Sequence, residues 1–247
     1  MRSITTVEGW GRAVTNTRKV SLPTRYLTAR ATEVETILEC SGGLDRFLPE
    51  PVHAAAERHR HEEDRLSYRA SHAVFRLMAA QALGVDPSLA ATLPVTRSCS
   101  TCGSAKHGKP EIAGVELSLS RSSGTVMVGS APVGHPIGVD IERIPAHVFK
   151  GFDAYTLSTS ERKRLRPDDT GARLQLWVGK EALLKATGHG LTVEPHNLTI
   201  SGNSCNGLPG AEELVLTWVG GPVGYAAAIA APALLEPRRI VVADLLA

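Results

Sequence analysis

The sequence predicts an α+β fold, and three stretches of the 247 residues support that prediction. Residues 64–83 place apolar side chains at helical spacing, so they predict a long amphipathic helix. Residues 116–130 read as two strands around a Ser-Gly turn, with Leu117 and Leu119 inward and the serines outward, which is typical of a β-hairpin. A second long helix is expected over residues 168–187, just before a glycine that ends it.

The remaining elements are shorter. Before the first long helix, we expect a strand within residues 26–39 and a charged surface helix at 51–61. A short helix is expected to begin near Ser158, with Ser158 or Ser160 as a suitable N-cap. After the second long helix, apolar runs between Gly-, Ser- and Asn-rich turns predict four strands, at residues 191–200, 213–218, 224–231 and 241–246.

Composition limits the classes of function. With 43% hydrophobic residues, the chain has enough apolar content for a sizeable core. A net charge of +2 is too small to indicate nucleic-acid binding. The sequence contains no run of eighteen apolar residues and no signal-peptide core, so we expect a cytoplasmic protein that does not enter a membrane.

The four cysteines fit reduced thiols better than a disulfide framework in a chain of this length. Cys99 and Cys102 form a Cys-x-x-Cys pair, with His107 nearby, and this is half of many tetrahedral zinc sites. No second pair at matching spacing follows. A loop with two free thiols is therefore the simpler interpretation, and a structural metal is the alternative.

Two carboxylates lie on one face of a predicted strand. In residues 137–142, apolar residues alternate with Gly138, Asp140 and Glu142, so both acidic side chains point the same way. Paired carboxylates with little His or Cys nearby suit Mg²⁺, which keeps some of its waters and often binds substrate phosphates as well.

A third carboxylate comes from the second long helix. Trp177, Glu181 and Lys185 stand at i, i+4 and i+8 on one face, with Lys180 beside them. A solvated Glu–Lys pair on a helix surface is the alternative interpretation. If Glu181 joins the two strand carboxylates, the result is a three-carboxylate site with two lysines available for phosphate, and such a site predicts phosphoryl chemistry.

These stretches resemble the signatures of the 4'-phosphopantetheinyl transferases in their Sfp-type branch. The two matching motifs are Gly138-Val-Asp-Ile-Glu142 and Trp177-x-x-Lys-Glu-Ala-x-x-Lys185. A weaker match precedes them, Gly108-Lys-Pro110 followed by Ser120-Arg-Ser122, where the family has Ser-His-Ser. Arg121 thus replaces a histidine, which makes the positive charge permanent. The resemblance covers the chain from about Phe47 to its end.

The resemblance implies two similar α+β halves related by a pseudo-twofold axis, each a small antiparallel sheet packed with a long helix. Residues 1–25 would be an N-terminal extension, 26–135 the first half, and 136–247 the second half with the metal site. A weak internal similarity between residues 126–140 and 226–244 agrees with this division. The branch with half this chain length forms trimers, so we expect here a monomer with internal pseudo-dimer symmetry.

The reaction implied by the resemblance transfers the 4'-phosphopantetheine arm of coenzyme A to a serine of an apo acyl or peptidyl carrier protein, and releases adenosine 3',5'-bisphosphate. Mg²⁺ would be held by Asp140, Glu142 and Glu181. Glu181, or a water that it orients, would deprotonate the serine, and Lys185 would stabilise the leaving group. The catalytic residues would be Glu181, Lys185 and Asp140.

Coenzyme A would be bound from several parts of the chain. Gly108 permits close backbone approach and Pro110 stiffens the turn that holds Lys109. A basic residue from the first long helix would reach a phosphate, and Arg69 is the candidate, although a gapless alignment places Ser67 there. The full set implied by the resemblance is Arg69, Gly108, Lys109, Pro110, Ser120, Arg121, Lys180 and Lys185.

The cluster of Arg and Lys at 162–166 is either a solvated helix face or a surface for an acidic partner. Carrier proteins are small, acidic and helical, so such a cluster would raise the rate of encounter more than the affinity.

Two other functions compete with carrier modification. One is an Mg²⁺-dependent phosphodiesterase that acts on coenzyme A or a nucleotide with water as nucleophile. The other is a non-enzymatic coenzyme-A-binding protein, which would not need three carboxylates. The carrier would belong to fatty-acid, polyketide or nonribosomal-peptide synthesis, and Mn²⁺ is the alternative to Mg²⁺.

Overall fold

The computed structural model describes residues 24–98, 103–104 and 108–247. Most of the predicted N-terminal extension, and the possible metal ligands Cys99, Cys102 and His107, lie outside the described residues. Cys40 and Cys205 are free thiols. In the part of the chain that the structure describes, no helix has the length and apolar content needed to cross a membrane.

The described residues form a mixed α+β fold. The helices are α1 (Ala31–Glu39), α2 (Glu50–Ala56), α3 (Glu62–Leu83), α4 (Phe152–Thr156), α5 (Thr159–Arg164) and α6 (Thr170–Thr187). The strands are β1 (Arg25–Arg30), β2 (Thr96–Ser98), β3 (Lys109–Glu111), β4 (Val115–Ser122), β5 (Thr125–Pro132), β6 (Gly138–Arg143), β7 (Thr199–Ser201), β8 (Ser204–Asn206), β9 (Leu214–Trp218), β10 (Tyr225–Pro232) and β11 (Arg238–Arg239).

The first sheet has the strand order β11-β1-β5-β4 and packs against α3. Strands β4 and β5 form the predicted antiparallel hairpin, with Ser122 opposite Thr125. The long helix α3 ends where Gly84 adopts the left-handed conformation. Its apolar face, including Val74, Phe75 and Leu77, is fully buried in the first core. The long helix and the hairpin predicted from the sequence are therefore confirmed.

The second sheet has the strand order β6-β10-β9 and packs against α6. The core beneath α6 includes Val178, Leu183 and Leu216, all fully buried. A third core cluster joins the two sheets, because Met127 of β5 packs with Val139 of β6 in the same group of buried residues. The two sheets thus meet along β5 and β6, with β4 also lying beside β6.

Both sheets repeat one order of elements. A first strand is followed by a long helix and then by two strands, and the last strand lies in the middle: β1-β5-β4 with α3, and β6-β10-β9 with α6. The twofold axis that would relate the two halves stays a prediction. The C-terminal residues pack with the first sheet, because β11 pairs with β1 and because Val242 and Leu245 lie in the first core.

Three predicted strands differ in the structure. Residues 31–39 form a helix, because Ala31, Val34 and Leu38 are buried at helical spacing. Residues 242–246 form a 3₁₀ turn that buries Val242 and Leu245 three positions apart. In the stretch 191–200, 3₁₀ turns precede β7, which holds only the final part of the predicted strand.

Candidate active site

The site is built where α6 lies directly on β6. A side chain at Gly138 would place its Cβ only 1.9 Å from the carbonyl oxygen of Ala182 and 2.5 Å from the amide nitrogen of Ala186. Because Gly138 has no side chain, the backbones of helix and strand touch. This contact brings Lys185 and Glu181 of the helix beside the acidic residues of the strand.

Lys185 and Asp140 form the closest contact across this junction. The Lys185 Nζ lies 2.6 Å from Asp140 Oδ1 and also donates to the Val139 carbonyl at 3.2 Å. Asp140 is only 2% exposed, whereas the Lys185 side chain is 29% exposed. The ammonium group therefore joins a buried carboxylate to the solvent-accessible side of the site.

A row of serines on β4 faces β6. Ser120 Oγ donates to Asp140 Oδ1 at 2.7 Å, and Ser122 Oγ donates to Glu142 Oε2 at 2.6 Å. One step earlier on the strand, Ser118 Oγ accepts the amide hydrogen of Val139 at 3.0 Å. We expected these serines to point outward. They are instead the polar contact between the two sheets, because the strand face that carries them is covered by β6.

Glu142 accepts a hydrogen bond from the hydroxyl of Ser122, and the Trp177 indole lies near enough to influence its pKa. Burial raises the pKa of Glu142, and the nearby Asp140 carboxylate adds to that increase. The hydrogen bond from Ser122, together with the Lys185 charge and the Trp177 indole, acts in the opposite direction. A residue of the helix motif thus lies near a carboxylate of the strand motif.

Glu181 is the third carboxylate of the cluster. Burial raises its pKa, the charges of Asp140 and Glu142 raise it further, and Lys185 opposes them. Its Oε1 atom is buried and has no hydrogen-bond partner in the described structure. A carboxyl group whose pKa is raised by burial is suited to accept a proton in a reaction.

The carboxylates fit a divalent cation that takes only part of its coordination from the protein. Asp140 Oδ2 and Glu181 Oε1 are both buried without a hydrogen-bond partner among the described residues. Such orphaned oxygens are unusual in a protein interior and are suited to a cation. Among the same described residues, no three His, Cys, Asp or Glu side chains already lie close enough together to hold a metal ion by themselves. Further ligands would therefore come from water or substrate.

Lys180 is not at the site. Its ammonium is fully buried and donates to Glu161 Oε2 at 2.5 Å and to the Thr156 carbonyl at 2.7 Å. The expected contact of Lys180 with the coenzyme pyrophosphate is therefore wrong for this structure. The physical reason is the helical step: Glu181 and Lys185 share the face that meets β6, while Lys180 points towards α5.

Lys109 lies beside the site. Its Nζ donates to the Ile137 carbonyl at 3.3 Å, immediately before β6, and lies 4.0 Å from Glu116 Oε2. Burial lowers the pKa of Lys109. Gly108 adopts a left-handed conformation and Pro110 follows within β3, so this turn holds the lysine beside the start of β6.

Arg121 projects from the hairpin onto α3. Its guanidinium lies 4.6 Å from the centre of the Tyr68 ring. A pocket of about 100 Å³ beside it is lined by His59, Asp64, Ser67, Arg121, Ser122, Ser123 and Gly124. Arg69 does not line this pocket, because its guanidinium is hydrogen-bonded to Asp45. In the structure it is Ser67, the residue of the gapless alignment, that lies beside Arg121.

Two supporting residues were missed from the sequence. Ser122 could have been found, because its position two residues after Ser120 places it on the same strand face. Glu161 could not, because it comes from a short surface helix and nothing in the local pattern indicates that it is buried against Lys180. The alternation of residues in β6 predicts that its two carboxylates share a face, but it does not indicate that hydroxyl groups of β4 donate hydrogen bonds to them.

Residues 136–217 match the family model described as the 4'-phosphopantetheinyl transferase superfamily. The matched stretch begins before β6 and ends within β9, so it contains Asp140, Glu142, Glu181 and Lys185. Among curated proteins, no match to this chain was found. The buried carboxylates and the flanking lysine therefore lie within the stretch, residues 136–217, that is similar to the 4'-phosphopantetheinyl transferase superfamily.

Proposed function

We propose that this protein transfers the 4'-phosphopantetheine arm of coenzyme A to a serine of an apo acyl or peptidyl carrier protein. The observation that supports it most strongly is the meeting of Asp140, Glu181 and Lys185 at the junction of β6 and α6, inside the residues that match the family. Phosphoryl transfer requires this combination of anionic and cationic side chains around a pyrophosphate.

The serine that reacts belongs to the carrier. Its oxygen forms a bond to the phosphorus that carries the pantetheine arm, and the bridging P–O bond of the pyrophosphate breaks. Adenosine 3',5'-bisphosphate leaves with the electron pair of that bond. Glu181 takes the serine proton, directly or through a water, since its pKa is raised by burial. Lys185 is the cation that faces the developing charge on the leaving group.

Asp140, Glu142 and Glu181 would hold a divalent cation, Mg²⁺ in this proposal. When bound, the cation neutralises charge on the pyrophosphate oxygens. Asp140 keeps its place because Ser120 and Lys185 both bond to one of its oxygens, while the other oxygen has no partner among the described residues. Ser122 donates to Glu142 Oε2 and orients that carboxylate in the same way.

The remaining coenzyme contacts of the proposal come from the first half and the turn before β4. Lys109 and Arg121 would bind phosphate groups of coenzyme A. The coenzyme pocket between them would be lined by Gly108, Pro110 and Ser120. Support comes from the position of Lys109 against Ile137 and from the pocket beside Arg121. Arg69 is a weaker member of this set, because Asp45 already binds it.

Mass spectrometry of apo carrier proteins tests the function directly. We expect the wild-type protein with coenzyme A and Mg²⁺ to add the mass of one phosphopantetheine arm. Asp140→Asn and Glu181→Gln should lower the rate about 100-fold or more, because each removes a charge needed in the transition state. Glu212→Gln, an exposed carboxylate outside the site, is the matched control and should leave the rate unchanged.

If both variants unfold at the same temperature as the wild-type protein, their lower transfer rate is not due to misfolding. Wild-type rates in either variant would contradict the assignment of the site. Cleavage of coenzyme A without any carrier would identify a phosphodiesterase that uses water, and binding of coenzyme A without cleavage or transfer would identify a binding protein.

The proposal also places the chain in the Sfp-type branch, as a cytoplasmic monomer made of two similar halves. The repeated strand orders β1-β5-β4 and β6-β10-β9 support two halves within one chain. Light scattering after size-exclusion chromatography should give a mass close to the 26.3 kDa of one chain. A trimer would contradict this part of the proposal.

A further inference from the structure

Four aromatic side chains form a continuous row from the surface to the acidic site. Ring centres are 5.3 Å apart for Phe149 and Phe152, 6.3 Å for Phe152 and Trp177, and 6.0 Å for Tyr155 and Trp177. Phe149 is 62% exposed and Tyr155 is 41% exposed. At its inner end the row reaches Trp177 of α6, the helix that also carries Glu181 and Lys185.

This row stands out from the other exposed apolar groups. The remaining large hydrophobic side chains that are exposed in the described residues are aliphatic, namely Leu89, Val133, Val223, Leu234 and Val241. An exposed aromatic pair that continues into a functional site is typical of a recognition surface, because aromatic side chains dominate binding energy at interfaces.

The surface around the row is positively charged because its acidic groups are used internally. Asp153 binds Arg173 at 2.8 Å, and the Glu161 carboxylate is buried against Lys180. Three cations stay exposed and have no ion pair within the described part of the chain, namely Lys150, Arg162 and Lys163. The stretch from residue 149 to 163 therefore presents aromatic and cationic groups without a balancing anion.

The corner between α4 and α5 fixes these groups relative to one another. A single ammonium, that of Lys180, binds both the Thr156 carbonyl at the end of α4 and Glu161 within α5. Ser158 caps α5, with its hydroxyl accepting the Glu161 amide hydrogen at 3.3 Å. Tyr155 and Arg162 are thus held on a rigid corner, which limits the ordering cost of binding a partner.

We propose that Phe149, Lys150, Tyr155, Arg162 and Lys163 form a docking surface for the carrier protein; this inference rests on the proposed function. The partner it fits is an acidic helical domain that presents an apolar side chain between carboxylates. The cations speed the encounter, and the aromatic pair holds the partner next to the site. The interaction is a short-lived one, as a carrier must leave after modification.

Steady-state kinetics with an apo carrier, at low and high salt, tests the inference. Arg162→Glu with Lys163→Glu should lower kcat/KM for the carrier about 10- to 100-fold at low ionic strength, with kcat and the KM for coenzyme A nearly unchanged. The loss should shrink in high salt, where the charges are screened. Phe149→Ala should raise the carrier KM about 10-fold in both salts, because its contribution is apolar.

Matched controls exist elsewhere on the chain. Arg238→Glu with Arg239→Glu reverses two consecutive exposed charges on β11, and Leu234→Ala removes an exposed apolar side chain. Both should keep the wild-type kcat/KM within about 2-fold, since neither lies on the proposed surface. A carrier with its acidic residues changed to lysine should be used better by the Arg162/Lys163 double variant than by the wild-type protein.

The outcomes separate the two proposals. If the wild-type protein modifies a carrier and the Arg162/Lys163 and Phe149 variants match the controls, the docking surface is wrong while the function stands. If the wild-type protein modifies no carrier, both proposals fall. Sedimentation with phosphatidylserine vesicles that is lost in the double variant, with carrier kinetics unchanged, would assign the surface to a membrane and overturn the inference.

Discussion

Lys180 and Glu161 form an ion pair inside the protein, with 2.5 Å between Nζ and Oε2 and with both side chains 0% exposed. The other Glu161 oxygen accepts the Ile200 amide hydrogen at 2.8 Å, and Oε2 also accepts that of Ser158 at 2.9 Å. One carboxylate therefore ties together α5, α6 and β7. The first lysine of the helix motif has a structural role in this fold.

Lys180→Met is expected to destabilise the protein by about 3–5 kcal/mol, because Glu161 is then a buried charge without its partner. Combining it with Glu161→Gln should restore at least about 1 kcal/mol of the loss, since the uncompensated charge is gone. Urea unfolding of the single and double variants measures both values. Lys163→Met, at an exposed position, should change stability by less than about 0.5 kcal/mol. Equal stability of wild type and Lys180→Met would contradict the buried pair.

Gly138→Ala should destabilise the protein by about 3 kcal/mol, because the new methyl group overlaps the Ala182 carbonyl, 1.9 Å away. It should also lower activity, since α6 must move away from β6. Gly171→Ala, near the start of α6, is the matched control. The nearest atom to its Cβ is Asp169 Oδ1 at 3.7 Å, so the change should be neutral or stabilising by up to about 1 kcal/mol. Thermal unfolding distinguishes the two, and similar effects would argue against close helix–strand packing.

The sequence predicted well those features that depend on local periodicity. Helix α6 and the alternation of β6 place Trp177, Glu181 and Lys185 on one helix face and Asp140 and Glu142 on one strand face, as the spacing requires. The contact between the two faces was an inference from chemistry. Gly138 makes this contact possible because it lets the backbone of β6 touch that of α6, and such a distance between two backbones cannot be seen in a local sequence pattern.

Features that depend on tertiary context were predicted less well. Lys180 sits beside Glu181 in sequence, but a step of one residue turns its side chain by about 100° on a helix, away from the site. Arg76 carries a charge of the kind that usually stays in solvent, yet it is buried, with its guanidinium bonded to the carbonyls of Ala90, Ala91 and Leu93. Burial of such polar side chains depends on partners that are distant in sequence.

His72 should make the protein sensitive to acid. Burial, with the nearby charges of Arg97, Arg121 and Arg76, lowers its pKa from 6.5 to about 3. Between these values the unfolded chain binds a proton that the folded protein does not. Stability is therefore complete above about pH 6.5 and is lost as the pH falls towards 3, by about 1 kcal/mol per pH unit.

His72→Phe removes this proton and should flatten the pH dependence of the free energy of unfolding by that amount. Chemical unfolding at pH 7.5, 6 and 5 measures the slope. His147→Phe changes an exposed histidine and should keep the wild-type slope. A variant at position 72 with an unchanged slope would show that another group is responsible for the acid sensitivity.

Ser122→Ala should move the acid limb of the pH–rate profile to higher pH. Burial already raises the pKa of Glu142, and the hydrogen bond from Ser122 lowers it. Without that donor the pKa rises further, so a higher pH is needed to ionise the carboxylate for cation binding. Transfer at neutral pH should fall and recover partly in alkaline buffer. Ser118→Ala is the matched control, because its hydroxyl accepts the Val139 amide hydrogen and touches no carboxylate. It should lower stability slightly and leave the acid limb in place, and an unshifted limb in Ser122→Ala would show that Glu142 does not set the pH dependence of the reaction.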